Sequence, residues 1–248
     1  MSVENGQASW GDAPMVINPW DEYAIEEALR VKDKLGGSVT VLTMGPKSSK
    51  EGLKTAIAMG CDHGILVSTE STESYDARVT AIVISKAIAM LDNVELVFFG
   101  KQAIDSDTGL VPMSVSHALG WPGFSYVSEI SEIDVATSNI NVIRLLEEGR
   151  QHCTGKLPAV ISVVKEINEP RYPSFVGIRK ASKAEIQVLR LDDLELGDEH
   201  TSKENGWLTW SEIHEISRKT TSAELFEGSN MASIAELLVD KLIEEKVI

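Results

Sequence analysis

The chain has 248 residues, enough for one large domain or for a domain with an appendage, and 43% of them are hydrophobic, as in ordinary folded proteins. A formal net charge of −15 argues against a nucleic-acid partner, because contact with the phosphate backbone requires a basic surface. No apolar run approaches the roughly 18 residues of a membrane span, no signal-peptide pattern is present, and two distant cysteines cannot form a disulfide framework, so we expect a cytoplasmic protein.

The first hundred residues predict helices alternating with strands. Residues 1–13 are polar and show neither a helical nor a strand period. Asn18 and Pro19 are typical of a helix start, with Asp21 placed for a capping box, and Gly36 follows the expected end at Leu35. Two further helices are predicted at 50–59 and 77–91. Strands are predicted at 38–43, 65–67 and 96–99, and the alternation indicates an α/β fold with a parallel sheet.

After Trp121 the hydrophobic period changes to two, which favours antiparallel strands. Strands are expected at 124–130 and 140–146 as an antiparallel ribbon, at 157–164 as a buried central strand, and at 185–189. Two prolines and a glycine predict a long surface loop at 167–183. From residue 191 the chain is acidic and irregular up to a final helix at about 231–246, whose contact stripe is Ile234, Leu237, Leu238 and Leu242. We therefore divide the chain into an α/β domain, 1–190, and a C-terminal arm, 191–248.

The segment from Leu96 to Trp121 is the strongest candidate for a binding site. Its pattern predicts a buried strand that ends at Gly100, then a polar loop and a helix at about 113–119. Backbone N–H groups at such a helix start can face an anion, and ligands of open parallel sheets bind at the carboxyl ends of the strands. Neither G-x-x-x-x-G-K-[ST] nor G-x-G-x-x-G occurs there. On these grounds alone the segment is a nucleotide-site candidate.

Nothing in the sequence is arranged for catalysis. The five histidines show no metal-ligand spacing, and there is no G-x-S-x-G nucleophile motif. The acidic pairs Asp105 with Asp107 and Glu147 with Glu148 are better explained as solvated or capping carboxylates in loops and turns. A nucleotide-like loop without catalytic residues favours a binding or cofactor-holding subunit that is not itself an enzyme.

The segment 167–183 concentrates positive charge in an acidic protein. Its cations are Arg171, Arg179, Lys180 and Lys183, and they are interleaved with the large apolar residues Tyr172, Phe175 and Ile178. Two interpretations stay open at this point. The segment is either a long loop folded onto its own domain or a protein-docking surface with an apolar anchor ringed by cations.

Several segments together resemble one family. They are NPWDEYAIEEALRVK, TMGP with LKTAIAMGCDHGILV, LVFFGKQAIDSDTG, and LPAVISVVKEINEPRYPSFVGIRKASK. In this order, from Asn18 to Lys183, they are similar to the β subunits of electron transfer flavoproteins, and G-K-Q-A-I-D combined with N-E-P-R-Y is highly specific. The region 191–248 matches only in length and character.

The resemblance implies an electron carrier. Such β subunits pair with an α subunit that holds FAD, and the heterodimer exchanges electrons with flavoprotein dehydrogenases such as acyl-CoA dehydrogenases. The β subunit itself resembles a Rossmann-like, adenine-nucleotide-binding domain that carries AMP or, in the electron-bifurcating branch, a second FAD. The C-terminal arm would then pack on the partner subunit. The alternative is a stand-alone adenine-nucleotide-binding regulatory protein with the same α/β core.

The family's functional residues transfer to matching positions of this chain. The implied nucleotide contacts are Asn18, Pro19, Trp20, Asp21, Met44, Gly100, Lys101, Gln102, Ala103, Ile104, Asp105, Ser106, Asp107, Thr108, Gly109 and Val111. The implied docking residues are Glu169, Pro170, Arg171, Tyr172, Phe175, Ile178, Lys180 and Lys183, with Phe175 as the apolar anchor.

The chain also departs from the family. A first strand that normally walls the nucleotide site is not evident, Leu110 replaces a usual glutamine, and Leu145 stands where an acid is frequent. The residues around PRYPS resemble the anaerobic, bifurcating branch more than the mitochondrial one.

Overall fold

The computed structural model describes residues 2–4, 7–9, 16–69, 75–196, 223–228 and 230–248. The chain divides into two compact units, one of residues 12–210 and one that combines 1–11 with 211–248. The larger unit alternates helices and strands around a largely parallel sheet, which confirms the predicted α/β fold class.

The regular elements are as follows. The strands are β1 (Ser2–Glu4), β2 (Gln7–Ser9), β3 (Thr40–Gly45), β4 (His63–Ser68), β5 (Leu96–Gly100), β6 (Gly123–Asp134), β7 (Asn139–Leu146), β8 (Gly149–Lys156), β9 (Ala159–Val163) and β10 (Gln187–Arg190). The helices are α1 (Pro19–Leu35), α2 (Lys50–Met59), α3 (Ala77–Ala89), α4 (Val111–Leu119), α5 (Phe175–Lys183) and α6 (Met231–Glu244). Most predicted elements are therefore present, with ends shifted by a few residues.

The parallel sheet of the larger unit consists of two parts. One part has the order β10-β4-β3, and the other has the order β5-β9-β6-β7-β8, in which β6, β7 and β8 form an antiparallel ribbon. Among the described residues no hydrogen-bonded ladder joins β3 to β5. Both strands nevertheless pack against the same layer of α3 and α4, since Leu42 and Met44 share one apolar cluster with Val97 and Phe99.

Helix α1 covers the other face of both parts. Tyr23 and Ala24 pack with Phe98 in one cluster, and Ile25 packs with Val41 in another. The helix begins beside Gly100, the last residue of β5, and ends near the edge of the sheet at which β5 begins. Strand β3 follows the helix and therefore begins at that same edge, so β3 and β5 run in the same direction. Their carboxyl ends therefore lie at one edge of the larger unit.

Among the residues that the structure describes, no strand pairs with the facing edges of β3 and β5, which leaves a gap between the two parts. The Ala159 N–H donates to the Glu95 carbonyl at 3.0 Å. In the parallel register that follows, every second residue of β5, beginning with Val97, directs its N–H toward β9, and the residues between them direct theirs away from β9. The Phe98 N–H then points into the gap, as does the Gly100 N–H. In the other part, the His63 N–H donates to the Val39 carbonyl at 3.3 Å, so the register directs the Val41 N–H toward β4 and the Leu42 N–H toward the gap. Consistently, β3 and β5 are mostly half-buried, whereas β9 is fully buried.

Strand β8 is not predicted by the sequence pattern. Its sequence GRQHCTGK contains two glycines and no apolar alternation, because the strand is largely exposed at the rim of the ribbon. It forms by pairing with β7 in antiparallel register, with Leu146 opposite Gly149. Glu147 and Glu148 form the turn between the two strands, as expected.

The prediction of a loop at 167–183 is wrong for its second half, which is α5. Pro173 precedes the helix, and the Ser174 side chain caps it by accepting a hydrogen bond from the Gly177 N–H at 2.9 Å. A Cβ on Gly177 would overlap the Ala58 carbonyl oxygen of α2. The glycine that suggests a loop is therefore required by close helix packing.

The smaller unit contains an antiparallel pair, β1 with β2, and the helix α6. Our expectation of no regular structure at residues 1–13 is wrong at the two strands. The acidic stretch expected to be irregular lies mostly outside the described residues. Leu237 and Leu238 of the predicted contact stripe are exposed, while Ile234 and Leu242 are half-buried. The packing of this arm on a partner stays a prediction. None of the described helices combines the length and apolar character needed to cross a bilayer.

The gap generates a hydrogen-exchange prediction. The Phe98 and Leu42 amides should exchange roughly 100-fold faster than those of Val97 and Val41, because within the described part of the chain only the latter donate to a neighbouring strand. Residue-resolved exchange measured by NMR on the full chain checks this expectation, with adjacent residues of one strand as matched controls. Equal protection of Phe98 and Val97 would contradict the gap.

Candidate functional site

The candidate nucleotide site lies where β5 ends and α1 begins. A Cβ on Gly100 would lie 2.6 Å from the Trp20 carbonyl oxygen and 2.7 Å from the Asp21 nitrogen. Only glycine permits this approach of two backbones. The loop after β5 is thereby held against the first turn of α1.

The Asn18 side chain fastens the loop. Its Nδ2 donates to the Gln102 carbonyl at 2.8 Å and to Asp21 Oδ2 at 3.1 Å, and its Oδ1 accepts from the Ile104 N–H at 3.1 Å. We expected Asn18 to cap the helix with its side chain, but that side chain accepts no hydrogen bond from a helix N–H. Instead it binds the loop, at Ile104, which is 86 residues further along the sequence.

Asp21 provides the second tie between helix and loop. Its Oδ1 accepts a hydrogen bond from the Gly100 N–H at 2.7 Å. This N–H points into the gap, so the carboxylate takes the place of the carbonyl that a neighbouring strand would offer. Burial raises the pKa of Asp21 above its ordinary value, while the hydrogen bonds from Gly100 and Asn18 oppose that shift. The carboxylate therefore serves to position the loop rather than to cap the helix backbone as predicted.

The outer part of the loop is closed by its own hydrogen bonds. The Ala103 N–H donates to the Thr108 carbonyl at 2.9 Å, and the Gln102 side chain donates to Asp107. Asp107 has φ of 55°, a conformation that aspartate tolerates better than most residues. The tip, at Asp105 and Ser106, is exposed, and Gly109 then leads the chain toward α4. The loop is thus ordered and presents its tip to solvent.

Met44 and Val111 complete the same edge. Met44 is the penultimate residue of β3 and Val111 is the first of α4, and both pack on one apolar cluster under the site. Pro112 is the second residue of α4, where its missing N–H is not needed. All sixteen predicted nucleotide residues therefore lie together at one edge, at 18–21, 44, 100–109 and 111.

The sequence did not point to Tyr126. The Lys101 ammonium lies 5.3 Å from the centre of the Trp20 ring and 5.6 Å from that of Tyr126. Tyr126 is in β6, where the alternating pattern predicts an ordinary strand. No feature of that pattern signals a residue turned toward the nucleotide loop.

The predicted docking residues fall on α5 and the segment before it. The large apolar side chains Tyr172 and Phe175 are 93% and 94% exposed, and Val176, which the sequence did not single out, is 81% exposed. Ile178 and Lys183 are exposed as well. Exposed side chains of this size on one short helix and the residues just before it are unusual, and they form an apolar surface beside cations.

Arg171 does not belong to that exposed surface. Its guanidinium donates to both carboxylate oxygens of Glu26, at 2.8 and 3.0 Å, and to Asp33 at 3.0 Å. These bonds with Glu26 raise the pKa of Arg171 further. Of its neighbours, Glu169 is exposed and Pro170 is half-buried. Arg171 therefore attaches the segment before α5 to α1.

Helix α5 is also fixed to α2. Ala181 is buried four residues after Gly177, so the two small residues share the contact face. The Lys180 ammonium donates to the Cys61 carbonyl at 3.3 Å and lies 4.0 Å from Asp62. The exposed apolar side chains are thus held on a rigid support.

The described residues contain no group of three or more histidine, cysteine or acidic side chains that could hold a metal ion. The chemistry available at the site is hydrogen bonding to an extended polar ligand and packing against rings. These features fit a nucleotide.

Comparison with known proteins agrees with this geometry. A family model described as the electron transfer flavoprotein domain matches residues 11–194. The electron transfer flavoprotein subunit beta of Thermoanaerobacterium thermosaccharolyticum is 36% identical over 236 residues, covering 95% of this chain and 88% of that protein. The subunit beta of Bacillus subtilis is 32% identical over 79% of this chain and 76% of its own length. Protein FixA of Azotobacter vinelandii is 38% identical over 71% of this chain and 63% of its own length. The chain therefore belongs to the electron transfer flavoprotein family and is similar to its β subunits.

Proposed function

We propose that this chain acts as the β subunit of an electron transfer flavoprotein, in a heterodimer with an FAD-bearing α subunit. It carries electrons between flavoprotein dehydrogenases, such as acyl-CoA dehydrogenases, and other redox partners. The observation that carries this proposal is the ordered loop 100–109, which is bound to α1 and opens to solvent at the edge where parallel sheets bind nucleotides. The absence of a disulfide framework and the family together favour the cytoplasm.

The proposed ligand of this chain's own site is AMP or a second FAD. The Asp105 carboxylate can accept hydrogen bonds from ribose hydroxyls, and the Thr108 hydroxyl can donate to phosphate. The first turns of α1 and α4 offer backbone N–H groups to phosphate. A bound flavin supplies the redox chemistry. The residues of this chain position the loop that would hold the nucleotide: Asn18 and Asp21 bind the loop, and Gly100 allows it to lie against α1.

Docking to dehydrogenases is assigned to the exposed face of α5. Phe175 is the anchor, with Tyr172 and Ile178 beside it and Lys180 and Lys183 as flanking cations. An apolar surface this exposed on a firmly supported helix is typical of a protein–protein contact, which an electron carrier makes with its redox partners. This surface favours the electron-carrier proposal over the alternative of a stand-alone regulatory protein.

The first prediction from the proposed function concerns nucleotide retention. Replacing Asp105 and Thr108 together by alanine should weaken nucleotide binding about tenfold or more, because two ligand hydrogen bonds are lost. The bound nucleotide of the purified complex is released and quantified per chain. Asp92→Ala, an exposed aspartate after α3, serves as the control. Unchanged content in the double variant would contradict the placement of the site.

The second prediction concerns docking. Phe175→Ala should lower kcat/KM for electron transfer with the partner dehydrogenase about 10- to 30-fold, since an interface anchor contributes about 2 kcal/mol. Flavin content should stay unchanged, because the residue lies away from the nucleotide loop. Met90→Ala, which also removes an exposed apolar side chain, is the matched control. A loss of flavin in Phe175→Ala would contradict a docking role.

A further inference from the structure

Tyr126 has a backbone conformation that its residue type disfavours. Its φ is 58°, in the left-handed region, whereas most residues with positive φ are glycine, asparagine or aspartate. A bulky side chain in this region is a strained position that persists only when neighbouring structure imposes it. Such positions are concentrated at binding and catalytic sites.

The surroundings of Tyr126 impose this conformation. The register of β6 against β9 shifts between Phe124 and Val127, both of which are buried, so the intervening residues form an irregularity. The Arg144 side chain donates to the Ser125 carbonyl at 2.8 Å and to its hydroxyl at 2.9 Å. Bulges of this kind redirect a side chain that a regular strand would place elsewhere.

The redirected ring lies at the nucleotide edge. Tyr126 is 42% exposed, and the Lys101 ammonium, from the loop that follows β5, lies over its ring as it does over that of Trp20. Lys101 is one residue beyond Gly100, so the ring is adjacent to the point where loop and helix meet. A partly exposed aromatic ring in contact with a cation is suited to a planar, electron-poor ring that carries negative charge elsewhere in the molecule.

We propose that Tyr126 is a ligand-stacking residue, on whose ring a planar heteroaromatic ring of the bound nucleotide lies, with Lys101 as the neighbouring cation. This inference rests on the proposed nucleotide site but adds a residue from a different strand. The ring is either the adenine of AMP or FAD, or the isoalloxazine of FAD. The strained backbone is retained because it aims the tyrosine at that ring.

The test compares Tyr126→Phe, which keeps the ring, with Tyr126→Asn, which removes it and accepts a positive φ. The full chain is titrated with AMP and separately with FAD, with the fluorescence of its tryptophans, which include Trp20, as the signal. The unfolding temperature of each ligand-free variant is measured in parallel. Val135→Asn, which removes an exposed side chain near the far end of the same ribbon, is the control.

We expect Tyr126→Asn to bind 5- to 10-fold more weakly, Tyr126→Phe and Val135→Asn to bind as the unmodified chain does, and the unfolding temperature of Tyr126→Asn not to fall. Weaker binding of both ligands assigns the stacked ring to adenine, and weaker binding of FAD alone assigns it to isoalloxazine. Unchanged binding by Tyr126→Asn, or weaker binding accompanied by a lower unfolding temperature, would overturn the inference. Failure of the unmodified chain to bind either ligand would count instead against the proposed nucleotide site.

Discussion

Helix α1 is held by polar contacts at its start and at its middle, and both candidate surfaces depend on it. At its start, Asn18 and Asp21 bind the loop that follows β5. Further along, the buried carboxylates Glu26 and Glu27 bind the segment that leads into α5. A buried carboxylate without a partner costs several kcal/mol, so these two residues require the segment to stay where it is.

The contacts at the middle of α1 form a small network. Glu27 accepts from Arg30 and from the Asn168 side chain, each at 3.0 Å, and Arg30 also donates to the Ile167 carbonyl at 3.1 Å. Arg171 closes the network on Glu26. Because Asp21 and Glu26 are five residues apart, only about 8 Å of helix axis separates the loop from the docking segment. A rigid element this short fixes the two candidate surfaces relative to each other.

Much of this arrangement could be predicted from local sequence. The helix start at Pro19, the glycine at the end of β5 and the alternation of helices with strands follow from propensity and period, and the structure has them. The role of Asn18 could not be predicted, since its side chain bonds a loop more than 80 residues away instead of its own helix. Arg171 belongs to the same class: its charge suggests docking, but its partners lie on a distant helix.

The missed elements share one physical cause, which is that tertiary contacts override local signals. Strand β8 has no apolar alternation and exists because β7 offers it a complementary edge. Helix α5 contains Gly177, which signals a loop but is required by the contact with Ala58. Tyr126 is turned toward the nucleotide loop by a register shift that no periodic pattern encodes. The gap between β3 and β5 likewise emerges only from the sheet topology.

The most direct measurement is the composition of the native complex. Purified from its own cells, the chain should be recovered with a second, FAD-bearing chain as a yellow complex, and mass spectrometry of the released small molecules should find AMP or FAD bound to this chain in addition. A colourless assembly of this chain alone, carrying ATP or no nucleotide, would contradict the account.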